Sequence, residues 1–477
     1  MPSVTKLPAA ALLLVTALQA QVLQAQVPPA RLTLAQVVEA ATRNYPSIHV
    51  SQEQLAAAAA GIRLARTAYL PRLDAVAQVN RATRNNVFGL LLPQSVIPSI
   101  SGPVLGTNNP DSVWGSAIGT LITWEPFDFG FRQASVATAE AARKQSAATL
   151  KRTEFEVAVA AADSCLMLAA AEETVRAAQA AVDRAQVTFR STTALANAQL
   201  RPGADASRAE AEMAAARTQF IQAQQAVDVA RALVAQFLGT DPAQLAIAPP
   251  GQIQPASAPG TLDPGFPDPA NNPIAIEQAA TVEQAQAQLR ALERSWFPRF
   301  ALQGSLYARG TGAVTNGTVT TNTSLGGLNG LGPSVQNYAL GFSVTFPLLD
   351  LPATRAREAV QSANVRAQMA RAEQIKTELR TRWNVAVANL HGATQIASNL
   401  PTQVSASRTA LQQASARYEA GLGTIDQVAE AQRLLTQAEI DGALSRLGIW
   451  RALLGIAAAA GDIQPFVTEA SRTGASR

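Results

Sequence analysis

Residues able to make or break bonds are few in this chain, and their spacing is wrong for it. Histidine occurs only at His49 and His391. Neither sits in a cluster of His, Cys and carboxylate at ligand spacing, so each reads as a helix-surface residue and not as a metal ligand. Glu172 and Glu173 are adjacent on a helix and diverge by about 100°, which is wrong for two carboxylates that must share one reacting group. Gly326-Gly327-Leu328-Asn329-Gly330 has the glycine density of a phosphate-cradling loop, but no lysine follows it and its surroundings are Thr/Asn/Gly-rich. Cys165 is the single cysteine. It allows no disulfide framework and reads as a small core residue. No catalytic site, metal site or cofactor is expected.

The elements that would position any functional side chain are unusually long. Leu168, Val175, Val182 and Phe189 recur every seven residues, with Ala171, Ala178 and Ala185 three residues later, which is a heptad pattern with alanine on one seam. After Arg201-Pro202-Gly203 the pattern resumes through Met213, Phe220, Val227 and Val234, accompanied by Ala216, Ala223, Ala230 and Phe237. This predicts two antiparallel helices over about 131–239, joined at a tight tip. A second hairpin follows the same plan. Trp383, Leu390, Ala397, Val404, Leu411 and Tyr418 lead to a turn at Gly421-Leu422-Gly423, and Val428, Leu435, Gly442, Ile449 and Ile456 lead back to Gly461. The first helix of each pair has roughly 65–70 residues, on the order of 100 Å at ~1.5 Å per residue, too long for a compact globule.

Composition narrows the class. Charged residues make up 15% of the chain, apolar residues 48%, and the formal charge is +4. The basic residues are scattered among glutamates, which argues against a nucleic-acid surface. At the amino terminus, Lys6 followed by the apolar run from Ala9 to Ala20, with small residues at Ala20 and Ala25, reads as an export signal over residues 1–25. No thiol lies near the cut for a lipid anchor. No later run of about 18 apolar residues is evident, so membrane entry would require strands.

The two halves are copies. Pro46 and Pro71 recur as Pro273 and Pro298 at one common displacement, and the Trp124–Asp128 passage and Gly239 recur as Phe346–Asp350 and Gly461. The expected organisation is a first repeat over 26–239, a Pro/Gly-rich linker over 240–270, a second repeat over 271–461 and a carboxy-terminal tail over 462–477. Each repeat opens with a shorter helical segment, 34–67 or 274–295. It then switches to a period of two over Leu73–Asn80 and Val113–Trp124, or over Phe300–Tyr307 and Tyr338–Phe346. Long loops, 84–111 and 309–336, separate the strands of each pair. Strands of about 9 to 12 residues suit a tilted bilayer crossing. Tyr69, Trp114, Trp124, Trp296, Tyr307, Tyr338 and Phe346 lie where an interfacial aromatic belt would put them. Four strands cannot close a barrel, and open edges in lipid leave backbone groups unpaired, so several chains must share one.

The duplicated order of helix, strand, loop, strand, long helix, tip and helix resembles the TolC-type outer-membrane efflux family over nearly the whole chain behind the signal. Arg417-Tyr418-Glu419-Ala420-Gly421 before the second tip and the Pro-Arg pairs that open strands are its most specific marks. The resemblance implies a mainly α chain with a membrane β-barrel portion. Its coiled-coil hairpins would form an α-helical barrel in the periplasm, and its four transmembrane strands would complete a trimeric 12-stranded barrel in the bacterial outer membrane. It implies a passive channel of a tripartite efflux or type I secretion system, partnered by a periplasmic adaptor and an inner-membrane transporter. A soluble periplasmic coiled-coil scaffold is the alternative. In this family the periplasmic aperture is narrowed near the tips, and the matching positions are Asp205, Tyr418, Gln427 and Glu430. The resemblance further suggests that Tyr418 hydrogen-bonds Asp205. Some members carry arginine where this chain has Gly423, which removes one ion pair. The tips, Leu200-Arg201-Pro202-Gly203 and Gly421-Leu422-Gly423-Thr424, are the expected adaptor contacts.

Overall fold

The computed structural model describes residues 32–83, 112–245, 266–312 and 330–474. The expected export signal, residues 326–329 of the glycine-rich run and most of the linker and interstrand loops lie outside the described residues. In chain order the elements are α1 (Leu34–Asn44), α2 (Pro46–Thr67), β1 (Arg72–Thr83), β2 (Ser112–Phe127), α3 (Phe131–Asn197), α4 (Gly203–Leu238), α5 (Pro273–Glu293), β3 (Arg299–Thr311), β4 (Val335–Thr345), α6 (Leu351–Glu419), α7 (Ile425–Ala460) and α8 (Gln464–Gly474). They divide into two compact units. One comprises Met1–Ser51, Leu150–Ala275 and Ile375–Arg477, the other Gln52–Thr149 and Ile276–Gln374.

The first unit is helical. The rods α3 and α6, whose opening residues up to Thr149 and Gln374 are counted with the second unit, have 67 and 69 residues, as the heptad spacing predicts, and the heptad rows mark their buried faces. Leu168, Ala178, Val182 and Ala185 on α3, Ala223, Val227, Ala230 and Val234 on α4, and Trp383, Leu390 and Ala397 on α6 are all buried. Alanine at the seam lets neighbouring backbones approach closely. The core continues into α1 and α7.

Two features of this unit depart from the sequence reading. The segment expected as one helix over 34–67 is two, because Tyr45 takes an extended conformation, φ −69° and ψ 130°. A residue preceding proline is pushed out of helical backbone by the ring of Pro46, and proline is then well placed to open α2. The expected tail beyond 462 contains α8, whose Phe466 and Ala470 are buried in the core and whose Phe466 ring meets Trp450 edge-on at 5.8 Å.

The helix α5 opens at Pro273, just after Asn272. Asn272 is fully buried; its Oδ1 accepts from the Ile274 N–H at 3.0 Å while Nδ2 donates to the Ala459 carbonyl at 3.1 Å. One side chain thus caps the start of α5 and the end of α7. Gly461 closes α7 with φ 84°, and a Cβ there would stand 2.8 Å from the Asn272 Cα, so both conformation and space require glycine. By length and composition α7 is apolar enough to cross a membrane, contrary to the sequence expectation. Its Leu447, Ile449, Trp450 and Leu454 are buried instead in the helical core, which accounts for the composition.

The second unit carries a four-stranded antiparallel sheet in the order β1-β2-β3-β4. Its register sorts the side chains, because directly paired residues share a face. The sets Leu73/Ile122/Gly304/Leu340, Ile118/Ala308 and Thr120/Leu306/Tyr338 fall on one face, joined by Trp124/Leu302/Phe342 and Phe300/Val344. The other face carries Arg72/Thr123/Gln303, Ser305/Ala339 and Tyr307/Asn337. One face is therefore apolar and the other polar. The apolar face is largely uncovered, with Leu306 66%, Tyr338 84%, Leu340 77% and Phe342 63% exposed. Trp114 and Trp124 stand ten residues apart on this face, about 25 Å of height for a strand tilted by ~40°. Tyr307 does not join such a belt: it lies on the polar face against Gly119, where an added Cβ would collide with the Tyr307 Cβ at 2.4 Å.

A compact joint links β2 to α3. Asp128 accepts from the backbone N–H of Gly130 and Arg132 at 3.2 and 2.7 Å and pairs with the buried Arg132 guanidinium at 2.9 Å. Arg132 in turn donates to the Ala68 carbonyl at 3.0 Å and covers the Tyr69 ring at 4.9 Å. The proline-to-aspartate passage of the sequence is thus a helix cap that also holds the chain ahead of β1.

Candidate functional site

Both helical hairpins reverse through the same backbone motif. The Leu200 N–H bonds to the Leu195 carbonyl at 2.9 Å, and the Leu422 N–H to the Arg417 carbonyl at 2.8 Å, the long bond of a Schellman ending. At the second tip Gly421 supplies the left-handed residue, φ 78°. At the first tip that residue is Gln199, φ 59°, and Gly203, the glycine of the expected tip, is the first residue of α4. A non-glycine residue there costs about 1–2 kcal/mol. The apolar residue after the left-handed position usually packs back on its helix. Here Leu200 and Leu422 remain 70% and 74% exposed. Pro202 and Thr424 occupy the N-cap positions of α4 and α7 without side-chain capping bonds.

Just inside the tips, Tyr418 is only 5% exposed and packs with Ile425, Val428, Leu195, Leu411 and Ala414. Its hydroxyl donates to Asp205 Oδ2 at 2.9 Å, joining the second hairpin to the first. Burial, then the hydrogen bond and negative charge of Asp205, push the Tyr418 pKa up to about 12. The phenol is therefore a permanent donor at physiological pH. Asp205 lies in the first turn of α4, where the helix dipole favours a carboxylate.

Arg201 closes on the same tyrosine from the same turn. Its guanidinium stands 4.6 Å from the Tyr418 ring centroid, and Nη2 donates to the Tyr418 carbonyl. From sequence, Arg201 is expected only as a tip contact, and Gly423 marks the loss of one ion pair. Arg201 brings a cation to the place from the opposite hairpin. Gly423 is itself crowded, since a Cβ there would meet Gln427 Oε1 at 3.1 Å and the Tyr418 backbone nitrogen at 3.2 Å. Gln427 and Glu430 do not join the Asp205–Tyr418 pair. Both are exposed, and Glu430 makes a 3.9 Å contact with Arg433 of its own helix.

Polar rungs continue the cross-connection away from the tips, and none of them was singled out from sequence. Arg433 of α7 holds Glu212 of α4, which Arg208 also approaches at 3.4 Å, while Arg208 reaches Asp426 at 3.6 Å. Farther along, Gln432 donates to Thr188 at 2.7 Å, and Arg184 donates to Glu439 at 2.9 Å and to Thr436 at 3.1 Å. The signal was present in the spacing. Arg201 and Arg208, Asp205 and Glu212, Asp426 and Arg433, and Gln432 and Glu439 are each seven apart, the positions flanking an apolar seam where coiled coils place charged pairs.

The family model described as outer membrane efflux protein matches residues 37–240 and 270–462. Among solved structures, the outer-membrane channel OprN is similar at 21% identity and a TM-score of 0.70, over 90% of this chain and 89% of that one. The outer membrane protein VceC from Vibrio cholerae gives 15% identity and a TM-score of 0.70, over 90% of this chain and 96% of that one. The CmeC outer membrane channel of Campylobacter jejuni gives 14% and 0.71, over 92% and 89%. At these identities the likeness shows the fold. No curated protein matches the chain by sequence.

Proposed function

The chain belongs to the outer membrane efflux protein family, with its strands in the outer membrane and its helical hairpins in the periplasm, and from that membership we propose that it is the passive exit duct of a tripartite export assembly. Three copies close a twelve-stranded barrel, and their hairpins line the path through the periplasm. Substrates delivered by an inner-membrane transporter pass along it unchanged. A periplasmic adaptor docks at the tips, where Leu200 and Leu422 offer exposed apolar side chains. The Asp205–Tyr418 bond holds the periplasmic aperture closed.

The observation that carries this reading is the sheet. It has a largely exposed apolar face, a polar face behind it and two edges, β1 and β4, that pair with no other strand among the described residues. In water such a sheet is an aggregation site. In lipid, with neighbouring copies sealing its edges, every backbone group is paired and the polar face lines a lumen. The test is fractionation of the full-length protein. A duct sediments with outer membranes, requires detergent for extraction and runs as a trimer after cross-linking. Release by salt as a monomer overturns the proposal. Isolation with its adaptor and transporter, followed by identification of the transporter, separates efflux from protein secretion.

A further inference from the structure

We propose that the turn Arg201-Pro202-Gly203-Ala204-Asp205 is a two-jaw clamp on Tyr418 and that Arg201 is the jaw that positions it, an inference that rests on reading the tips as the gate. The two jaws act on different parts of one residue. Asp205 takes the hydroxyl at 2.9 Å. Arg201 covers the ring face at 4.6 Å and donates to the backbone carbonyl.

That carbonyl gives Arg201 its distinctive role. It belongs to the last turn of α6, which ends at Glu419, where carbonyls have no partner four residues on and the helix dipole is negative. The Gly421 N–H reaches the same oxygen at 3.1 Å. A guanidinium placed there is a C-cap supplied by the opposite hairpin. The planar group can stack on the ring and donate in one pose, which an ammonium cannot do. Parting the hairpins must therefore strip the charged donor from the end of α6, uncover the ring and break the phenol–carboxylate bond together, so the closed state is cooperative at a single residue. Gly421 leaves room for the arrangement, with Arg201 Nη2 lying 3.7 Å from where a Cβ would stand.

Two measurements on the full-length protein in detergent and in planar bilayers test this. Hydrogen exchange of the segment 417–424 reads the cap directly. Arg201→Ala is expected to raise its exchange about five- to tenfold, the scale of a lost charged cap, and to leave the segment around Trp450 unchanged. Arg201→Lys, which keeps the charge and loses the stack, should fall between wild type and Arg201→Ala. Bilayer recordings read the gate, and Arg201→Ala should raise the open fraction to at least the level of Tyr418→Phe. Unchanged exchange at 417–424 overturns the clamp, whatever the recordings show. Raised exchange with unchanged open fraction in all three variants leaves the clamp standing and overturns the gate reading on which it rests.

Discussion

Adjacent residues of one strand provide a stringent test of the sheet. Leu340 lies near the middle of β4 on the apolar face, 77% exposed, while Ala339 faces the polar side opposite Ser305. Replacing either with arginine places the same charge within ~3.4 Å of the same depth but on opposite faces. Arginine on a lipid face near the midplane costs ~2–4 kcal/mol, a factor of roughly 30 to 1,000 per chain at ~1.4 kcal/mol per tenfold. Because three copies share the barrel, that cost enters three times, roughly 6–12 kcal/mol per trimer. Arginine on the polar face meets water and costs little. Leu340→Arg should therefore abolish or strongly reduce the folded trimer after insertion into lipid vesicles, read by guanidinium unfolding and by retention of the trimer on mild-detergent gels. Ala339→Arg should insert with near wild-type stability and alter ion selectivity. Equal damage from the two substitutions, or greater damage from Ala339→Arg, would refute the assignment of faces and with it the membrane barrel.

Three further outcomes are expected. Tyr418→Phe removes a hydrogen bond to a carboxylate, worth ~1.5 kcal/mol or more, and should raise the open fraction in planar bilayers about tenfold; Asp205→Asn should act in the same direction, and unchanged recordings for both remove this pair from the gate. Gly461→Ala forces a left-handed backbone onto alanine and drives its Cβ to 2.8 Å from Asn272, so the melting temperature of the helical part should fall by several degrees, an effect of ~1–3 kcal/mol. Burial raises the Cys165 pKa from 9.0 to about 12, so the folded state holds a neutral thiol while the unfolded chain ionises near pH 9. Stability from this group is present below that pH and declines as the pH rises toward 12, and a maleimide at pH 8 should label Cys165 only on unfolding.

The long helices were readable because a heptad is a statement about one face of one element, and Leu168, Val182, Val227 and Leu390 had nowhere to go but the seam. Strand location was equally local, since alternation over Leu302-Gln303-Gly304-Ser305-Leu306 depends on the pleat alone. What escaped the linear reading depended on partners distant in the chain or on backbone detail. The break at Tyr45 was masked by helical residues on both sides of Pro46. The final helix was missed because Phe466 is a lone aromatic whose value comes from Trp450. The left-handed Gln199 was hidden by the more permissive Gly203 nearby. From sequence alone Tyr307 reads with the belt, and only its pairing with Asn337 places it on the polar face.

By itself, then, the order of residues determined the duplicated plan, the length of the rods, the positions of the two reversals and the presence of bilayer-length strands. Each follows from periodicity or from a local backbone preference. Only the tertiary structure decided which strand faces are apolar as a set, because that requires the register of β2 against β3 across more than a hundred and fifty intervening residues. Only it decided that Arg201 and Asp205 grip Tyr418. A side chain that must choose among neighbours in another hairpin obeys distances in space, and its own stretch of sequence carries no record of them.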